Sequence, residues 1–196
     1  MTLSNKKPGH IFIISGPSGV GKSTICSEVT KSLGNTYLSI SATTRPRSDK
    51  EINGRNYWFI PREEFLQKIE QGRFLEYEEV FGNLYGTPRD KVDQALAAGK
   101  LVILEIDVHG AEKVKSIYPD AVSILIVPPD NEELAERIHA RQRDDEETRI
   151  KRLQFAGTEI TEGRKFCDHI ITNNELNHAI QEIKEIINNK IGENND

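Results

Sequence analysis

The chain has 196 residues, of which 36% are hydrophobic and 29% are charged, and its net charge at pH 7 is −5. These fractions are typical of a soluble globular protein, and they exclude a disordered or a collagen-like chain. The acidic balance argues against a nucleic acid polymer or an anionic membrane as a partner, but it allows a local basic pocket for a small anion.

The cysteines and the N-terminal region bear on where the protein works. Cys26 and Cys167 are the only cysteines, and they form neither a CxxC motif nor a zinc-binding spacing with histidine. Two reduced thiols indicate a reducing compartment. The apolar run at 11–14 is shorter than a signal peptide or a membrane-spanning helix requires. We therefore expect a cytoplasmic protein.

Apolar, β-rich runs alternate along the chain with amphipathic stretches. The runs predict strands at 11–15, 37–41, 101–106, 121–127 and 169–172. The amphipathic stretches predict helices at 23–33, 89–98, 131–143, 146–161 and 175–190. Strands that are apolar on both faces indicate a parallel sheet covered on both sides, so the predicted fold class is three-layer α/β.

One segment, residues 41–87, departs from this alternation. It is rich in proline, glycine and aromatic residues. Within it, Asn53-Gly54 is a turn signal between short β-like pieces at 41–52 and 55–60. We interpret the segment as a small, mostly antiparallel insertion on the core sheet.

A second irregular segment, residues 137–152, is highly charged and holds the acidic run 144–147 between arginines. One interpretation is a solvated helical hairpin. The other is a mobile lid whose arginines reach an anion. The charge pattern alone does not choose between the two.

The most specific motif lies after the first predicted strand. It matches the pattern G-x4-GK-[ST] with Gly16, Pro17, Ser18, Gly19, Val20, Gly21, Lys22 and Ser23. A strand before it and a helix after it would let backbone amides and the helix N-terminus surround an anion. Lys22 would bridge the β- and γ-phosphates, and the Ser23 hydroxyl would ligate Mg²⁺. We predict that a nucleoside triphosphate binds here.

The phosphate acceptor must be inferred from the rest of the chain. A GTPase would need an N-K-x-D motif to read guanine, and the sequence has none. A small kinase needs a second, arginine-rich site for an acceptor phosphate. The insertion supplies Arg45, Arg47, Arg55, Arg62, Tyr57 and Tyr85. These residues favour a kinase.

Four further motifs follow the phosphate-binding loop in order. They are S-A-T-T-R at 41–45, N-G-R-N-Y at 53–57, G-N-L-Y-G-T at 82–87 and I-L-E-I-D-V-H-G at 103–110. Together with the loop, they resemble the guanylate kinases, the ATP:GMP phosphotransferases among the nucleoside monophosphate kinases, over about residues 10–187. The resemblance implies a P-loop kinase core of residues 1–40, 88–128 and 156–196, a GMP-binding insertion at 41–87 and a helical lid at 129–155.

The resemblance also assigns the GMP site. Guanine would be read by Ser41, Glu76, Thr87 and Asp107, and the GMP phosphate would be held by Arg45, Tyr57 and Tyr85. Without the resemblance, simpler interpretations remain open. The two tyrosines could be core aromatics, Asp107 could cap a strand end, and Glu76 could be one of several surface carboxylates.

For the ATP site and the reaction, the resemblance implies a second set of residues. The catalytic set would be Lys22, Arg45, Arg137, Arg141 and Arg152, the last three from the lid. Asn173 would lie near the adenine of ATP. Ser23 would bind the Mg²⁺, and Glu105 stands where the family carries an acidic residue near the metal, usually aspartate.

The sequence departs from the family pattern at two places. The usual T-T-R-x-x-R-x-G-E reads T-T-R-P-R-S-D-K-E here, so Ser48 replaces the second arginine and Lys50 replaces the glycine. Arg47, next to Ser48, could take the place of the missing second arginine. In the lid, Arg141 is followed by Gln142, where the family usually has glycine.

The resemblance implies that the protein transfers the γ-phosphate of ATP to GMP, and to dGMP, giving ADP and GDP with Mg²⁺. Two alternatives stay open. One is a non-catalytic scaffold that binds phosphorylated partners through the GMP site, against which the intact Lys22 and Ser23 argue. The other is a kinase for another nucleotide such as AMP or UMP. The sequence leaves a homo-oligomer open.

Overall fold

The computed structural model describes residues 9–139 and 146–193. The strands are β1 His10–Ser15, β2 Thr36–Leu38, β3 Ala42–Thr43, β4 Trp58–Phe59, β5 Phe74–Val80, β6 Asn83–Pro88, β7 Leu101–Glu105, β8 Val122–Val127 and β9 His169–Thr172. The helices are α1 Lys22–Ser32, α2 Arg62–Glu70, α3 Arg89–Ala97, α4 Val108–Ile117, α5 Asn131–His139, α6 Glu146–Phe166 and α7 Leu176–Glu193. In the described part of the chain, no helix combines the length and the apolar character needed to cross a membrane.

A five-stranded parallel sheet in the order β2-β7-β1-β8-β9 forms the core. Every residue of β8 is buried, as is β1 from Ile11 onward, which explains the unbroken apolar runs in the sequence. One face packs on α1 and α7 through residues such as Ile25 and Ile183. The other packs on α3 and α4 through residues such as Val92 and Val114. The predicted three-layer α/β class is confirmed.

Residues 42–88 contain a second sheet in the order β4-β3-β6-β5, with a small apolar core of its own. Two of its three strand pairs are antiparallel, but β3 and β4 run parallel. The prediction of a small, mostly antiparallel insertion is therefore confirmed, although the sheet also contains one parallel pair. The predicted turn at Asn53-Gly54 is present. Within it, Gly54 N donates to Tyr57 O at 2.8 Å, and Asn53 Oδ1 accepts from Phe59 N at 2.9 Å.

The predicted strands and helices of the core are found with small shifts at their ends. The predicted strand 37–41 ends early, at Leu38, because the chain leaves the core sheet to enter β3. The helix predicted at 146–161 continues to Phe166, and α5 is described to His139. Two further helices, α2 and α4, are not among those predicted from the sequence. The division into core, insertion and lid stays a proposal.

Candidate active site

The phosphate-binding loop connects the end of β1 to the start of α1. Gly16 has a φ of +136°, and a Cβ added there would lie 2.2 Å from the carbonyl oxygen of Ile126 in β8, so glycine is required. Gly21 is the N-cap of α1 at a φ of +100°, and the first turn of α1 contains no acidic residue. The unpaired amides of this helix N-terminus favour an anion in the loop.

Two polar side chains at the start of α1 face the loop and the end of β7. Lys22 Nζ donates to the carbonyl oxygens of Gly16 at 2.5 Å and Pro17 at 3.0 Å, so its charge lies over the loop. Ser23 Oγ donates to Glu105 Oε1 at 2.5 Å. Glu105 is the last residue of β7, next to β1 in the sheet.

The oxygen atoms of Ser23 and Glu105 are suitable ligands for Mg²⁺. In nucleotide sites this ion is usually held by one or two protein oxygens together with substrate phosphates and water. Among the side chains of the described residues, no group of three or more His, Cys, Asp or Glu is arranged to hold a metal. The hydroxyl and carboxylate oxygens of the Ser23–Glu105 pair are the donors that a Mg²⁺ ion bound to a nucleotide needs.

Asn173 directly follows β9 and contacts the phosphate-binding loop. It is buried, and its Nδ2 donates to the Val20 carbonyl oxygen at 2.7 Å. The backbone carbonyl oxygen of Asn173 accepts from Arg137 Nη2 at 3.0 Å. Arg137 also pairs with Glu133, which lies one turn earlier on α5. Asn173 thus joins the loop to α5. Its place next to adenine stays a prediction.

The predicted lid arginines can be located in part. Arg137 of α5 lies beside Val20 and Asn173, and Arg152 Nη1 of α6 donates to Ser18 Oγ at 2.9 Å. Both guanidinium groups therefore contact the loop region. Arg141 lies outside the described residues.

The three residues predicted to hold the GMP phosphate come together in the second sheet. The Arg45 guanidinium lies 5.6 Å from the ring centre of Tyr57, and the rings of Tyr57 and Tyr85 meet edge to face at 5.8 Å. Burial, followed by the negative charge of Glu105, raises the pKa of Tyr57 to about 12. Its hydroxyl group therefore stays protonated and can donate to a phosphate oxygen.

Glu51 also belongs to this cluster and is not among the site residues predicted from the sequence. It is buried, and its carboxylate accepts two hydrogen bonds from Arg45 and two from Ser48. The bond from Arg45, aided by Ser48, lowers the pKa of Glu51 to about 2. Arg47 donates to the Glu51 carbonyl oxygen. The sequence contains a signal for this residue, because Glu51 is the final glutamate of the segment T-T-R-P-R-S-D-K-E and matches the glutamate of the family pattern.

Three of the four residues predicted to read guanine come together where α4 packs against β5. Glu76 of β5 is 7% exposed and accepts a hydrogen bond from Thr87 Oγ1 at 2.5 Å. Asp107 caps α4, its Oδ1 accepting from Gly110 N at 2.7 Å. A Cβ added to Gly110 would lie 2.9 Å from Glu76 Oε2 and 3.3 Å from Asp107 Oδ1, so the two carboxylates lie side by side. Ser41 directly precedes β3.

The environment of Glu76 favours its protonated form. Burial raises its pKa to about 7, the hydrogen bond from Thr87 opposes that rise, and the charge of Asp107 adds to it. Glu76 is therefore not a surface carboxylate. Asp107 caps the N-terminus of α4 rather than a strand end, and a contact with guanine stays a prediction.

Glu159 of α6 is another acidic residue whose pKa is raised. Burial raises its pKa to about 7, the charge of Lys22 lowers it, and the charge of Asp107 raises it further. The phosphate-binding loop follows β1 and Asp107 follows the neighbouring parallel strand β7, so the loop and the paired carboxylates lie at the same end of the core sheet. No sequence signal distinguishes Glu159 from the other acidic residues of α6.

Comparisons with known proteins agree with this architecture. A family model described as guanylate kinase matches residues 9–190. A guanylate kinase of Carboxydothermus hydrogenoformans is 44% identical over 179 residues, which cover 91% of this chain and 87% of the relative. One from a Nostoc species is 44% identical over 183 residues, covering 93% and 92%.

A solved structure shows the same similarity in three dimensions. The crystal structure of guanylate kinase from Anaplasma phagocytophilum matches with a TM-score of 0.79 at 33% sequence identity. The match covers 94% of this chain and 87% of that one. With a family model matching nearly the whole chain and relatives of this identity along its length, the chain belongs to the guanylate kinase family.

Proposed function

We propose that this protein transfers the γ-phosphoryl group of ATP to GMP and releases ADP and GDP. One observation carries the proposal: the buried Glu76 carboxylate lies beside Asp107, which follows β7 at the same end of the core sheet where the phosphate-binding loop follows β1. A phosphate-binding loop by itself indicates only a triphosphate. The paired carboxylates indicate what accepts the phosphoryl group.

The chemistry of guanine explains why a carboxylate suits this position. Guanine presents two adjacent donors, N1–H and the 2-amino group, and one ionised carboxylate accepts both. Adenine presents a lone pair at N1, which a carboxylate repels. In this proposal Glu76 accepts the two donors, while Asp107 and the hydroxyl groups of Ser41 and Thr87 contact the remaining polar atoms of the base.

The proposed phosphate contacts of GMP come from Arg45, Tyr57 and Tyr85. The bidentate pair with Glu51 orients the Arg45 guanidinium before a phosphate arrives, which lowers the entropy lost on binding. The tyrosine hydroxyl groups add neutral donors. This arrangement holds the GMP phosphate as a whole and aims one of its oxygens at the donor site.

The transfer needs alignment and charge neutralisation more than a general base, because the GMP phosphate is already ionised at pH 7. A GMP phosphate oxygen attacks the γ-phosphorus of ATP in line, and the bond from that phosphorus to ADP breaks. Lys22 exchanges its loop carbonyl contacts for phosphate oxygens, and Arg137 and Arg152 neutralise the charge of the transition state. Mg²⁺, held by Ser23 and Glu105, would supply further charge neutralisation.

The proposal extends to several broader properties. It includes the division into core, insertion and lid, a place for Asn173 near adenine, dGMP as a second acceptor, and a cytoplasmic role in purine nucleotide metabolism. Both cysteines are free thiols, which supports a reducing compartment.

One assay separates this function from its alternatives. The purified protein is incubated with ATP and Mg²⁺ and with GMP, dGMP, AMP or UMP, and ADP release is measured against a reaction without acceptor. We expect kcat/KM for GMP to exceed that for AMP and UMP by at least ~10²-fold. GMP binding without ADP release would favour the scaffold, and a preference for AMP or UMP would favour another kinase.

A further inference from the structure

The turn between β5 and β6 contacts α6 through three side chains, which we call the Phe81 cluster: Phe81 from the turn, with Arg152 and Phe155 from α6. The Arg152 guanidinium lies over the Phe81 ring, 5.1 Å from its centre. The Phe155 ring meets the Phe81 ring at 5.7 Å between centroids, with the planes at 76°. Both rings are exposed, Phe81 by 40% and Phe155 by 58%.

The backbone at Phe81 is strained. Val80 pairs with Asn83, so Phe81 and Gly82 form a two-residue turn, and their φ values are +48° and +76°. Turns with two positive φ values favour Asn-Gly, because a bulky side chain is disfavoured in the left-handed region. Burial cannot account for an aromatic residue here, since the ring is exposed. The contact between the Phe81 ring and the Arg152 guanidinium does account for it.

Arg152 also reaches the phosphate-binding loop, where its Nη1 donates to Ser18 Oγ. On the other side, the hairpin that ends in Phe81 carries Glu76 on β5 and Tyr85 on β6. Arg152 is therefore held between the proposed ATP site and the hairpin of the proposed GMP site.

We propose that Phe81 is a positioning residue for Arg152, which links the GMP-binding hairpin to the arginine at the ATP phosphates. This inference rests on the proposed function. An arginine side chain is long and flexible, and its flat guanidinium group stacks on aromatic faces. The Phe81 ring restricts Arg152 to one orientation, and the edge of Phe155 keeps that ring in place. Phe81 thus acts on phosphoryl transfer only through Arg152.

The substitution Phe81→Asn separates this role from a structural one. Asparagine is favoured in the turn, so we expect the melting temperature to stay constant or to rise. We expect kcat for GMP phosphorylation to fall about tenfold while KM for GMP changes by less than about twofold. Phe81→Tyr keeps the ring and should retain kcat. Phe155→Ala leaves the turn intact and should also lower kcat.

A double-mutant cycle with Arg152→Ala completes the test. If Phe81 acts through Arg152, then Phe81→Asn has no further effect on kcat in the Arg152→Ala background. Leu66→Asn is the matched control, because Leu66 is an apolar residue of α2 with a similar exposure of 44%, and it should leave kcat unchanged.

Two results would overturn the inference by itself: an unchanged kcat in Phe81→Asn, or an equal decrease with and without Arg152. A parent protein that releases no ADP from ATP and GMP would instead overturn the proposed function, and this inference with it.

Discussion

The Glu51 carboxylate holds the Arg45 guanidinium through two parallel hydrogen bonds, Nη1 to Oε2 at 3.0 Å and Nη2 to Oε1 at 2.7 Å. The pair is fixed further by Ser48, which donates its backbone N–H and its hydroxyl group to Oε2. In the proposed function Arg45 binds the acceptor phosphate. In that proposal Glu51 orients the arginine that binds the acceptor phosphate.

The first prediction concerns the stability contributed by Glu51. Its pKa is lowered to about 2, so the contribution is present above the ordinary carboxyl pKa and is lost as the pH falls towards 2. We expect Glu51→Gln to lower the free energy of unfolding by about 1–2 kcal/mol at pH 7, and by much less near pH 3. Urea denaturation at both pH values measures the difference.

Glu79→Gln is the control for that experiment. Glu79 pairs with Arg62 at 3.0 Å, but both side chains are about half exposed. An exposed pair contributes little, so this substitution should change the free energy of unfolding by less than about 0.5 kcal/mol. Equal effects of the two substitutions would contradict a special role for Glu51.

The second prediction is a pH dependence of GMP use. The pKa of Glu76 is raised to about 7, and only the ionised carboxylate accepts both guanine donors. We expect KM for GMP to rise by up to about tenfold per pH unit as the pH falls below 7. Glu76→Gln should remove this dependence and lower kcat/KM for GMP by at least ~10²-fold. An unchanged KM for ATP is the internal control.

The third prediction is that the same residue costs stability. The pKa of Glu76 in the folded protein is about 7. At low pH the carboxyl group is protonated in both the folded and the unfolded protein, so its ionisation contributes nothing to the free energy of unfolding. Above the ordinary carboxyl pKa the unfolded state ionises first, so the folded state is penalised, and the penalty is complete above pH 7. We expect Glu76→Gln to be more stable than the parent at pH 8, by roughly 3 kcal/mol at most. A parent that is the more stable protein at pH 8 would refute this.

The fourth prediction uses Gly110, where an added Cβ would lie 2.9 Å from Glu76 Oε2. Gly110→Ala should displace the Glu76 carboxylate and lower kcat/KM for GMP by about 10-fold or more, with little change in KM for ATP. Gly157→Ala is the matched control. Gly157 lies in α6 with nothing near its added Cβ, so its substitution should retain activity and raise stability by up to about 1 kcal/mol.

The fifth prediction concerns the loop lysine. Lys22→Ala should lower kcat by at least ~10²-fold, because it removes a charge from the transferring phosphoryl group, and it should leave GMP binding nearly intact. Calorimetry with GMP and an ADP-release assay measure the two effects. Lys31→Ala, an exposed residue of α1 paired with Glu28, should behave like the parent. Normal turnover in Lys22→Ala would contradict the loop as the donor site.

Sequence alone determined the parallel core and the phosphate-binding loop, because each depends on neighbours in the chain. Strands buried on both faces show as continuous apolar runs, as in β1 and β8. The loop needs glycine at positive φ, as at Gly16, directly between a strand and a helix. The ordered motifs then located Arg45, Tyr57 and Tyr85 in the chain, and the family resemblance assigned Glu76.

Only the tertiary structure decided which of these residues meet, and in what environment. By strand alternation Glu76 and Glu78 share a face of β5, yet only Glu76 is buried, because α4 packs on that part of the strand at Gly110. The pairing of Arg152 with Phe81 joins residues far apart in the chain. Periodicity describes one element at a time, whereas such contacts, and the pKa of a buried carboxyl group, depend on how separate elements pack together.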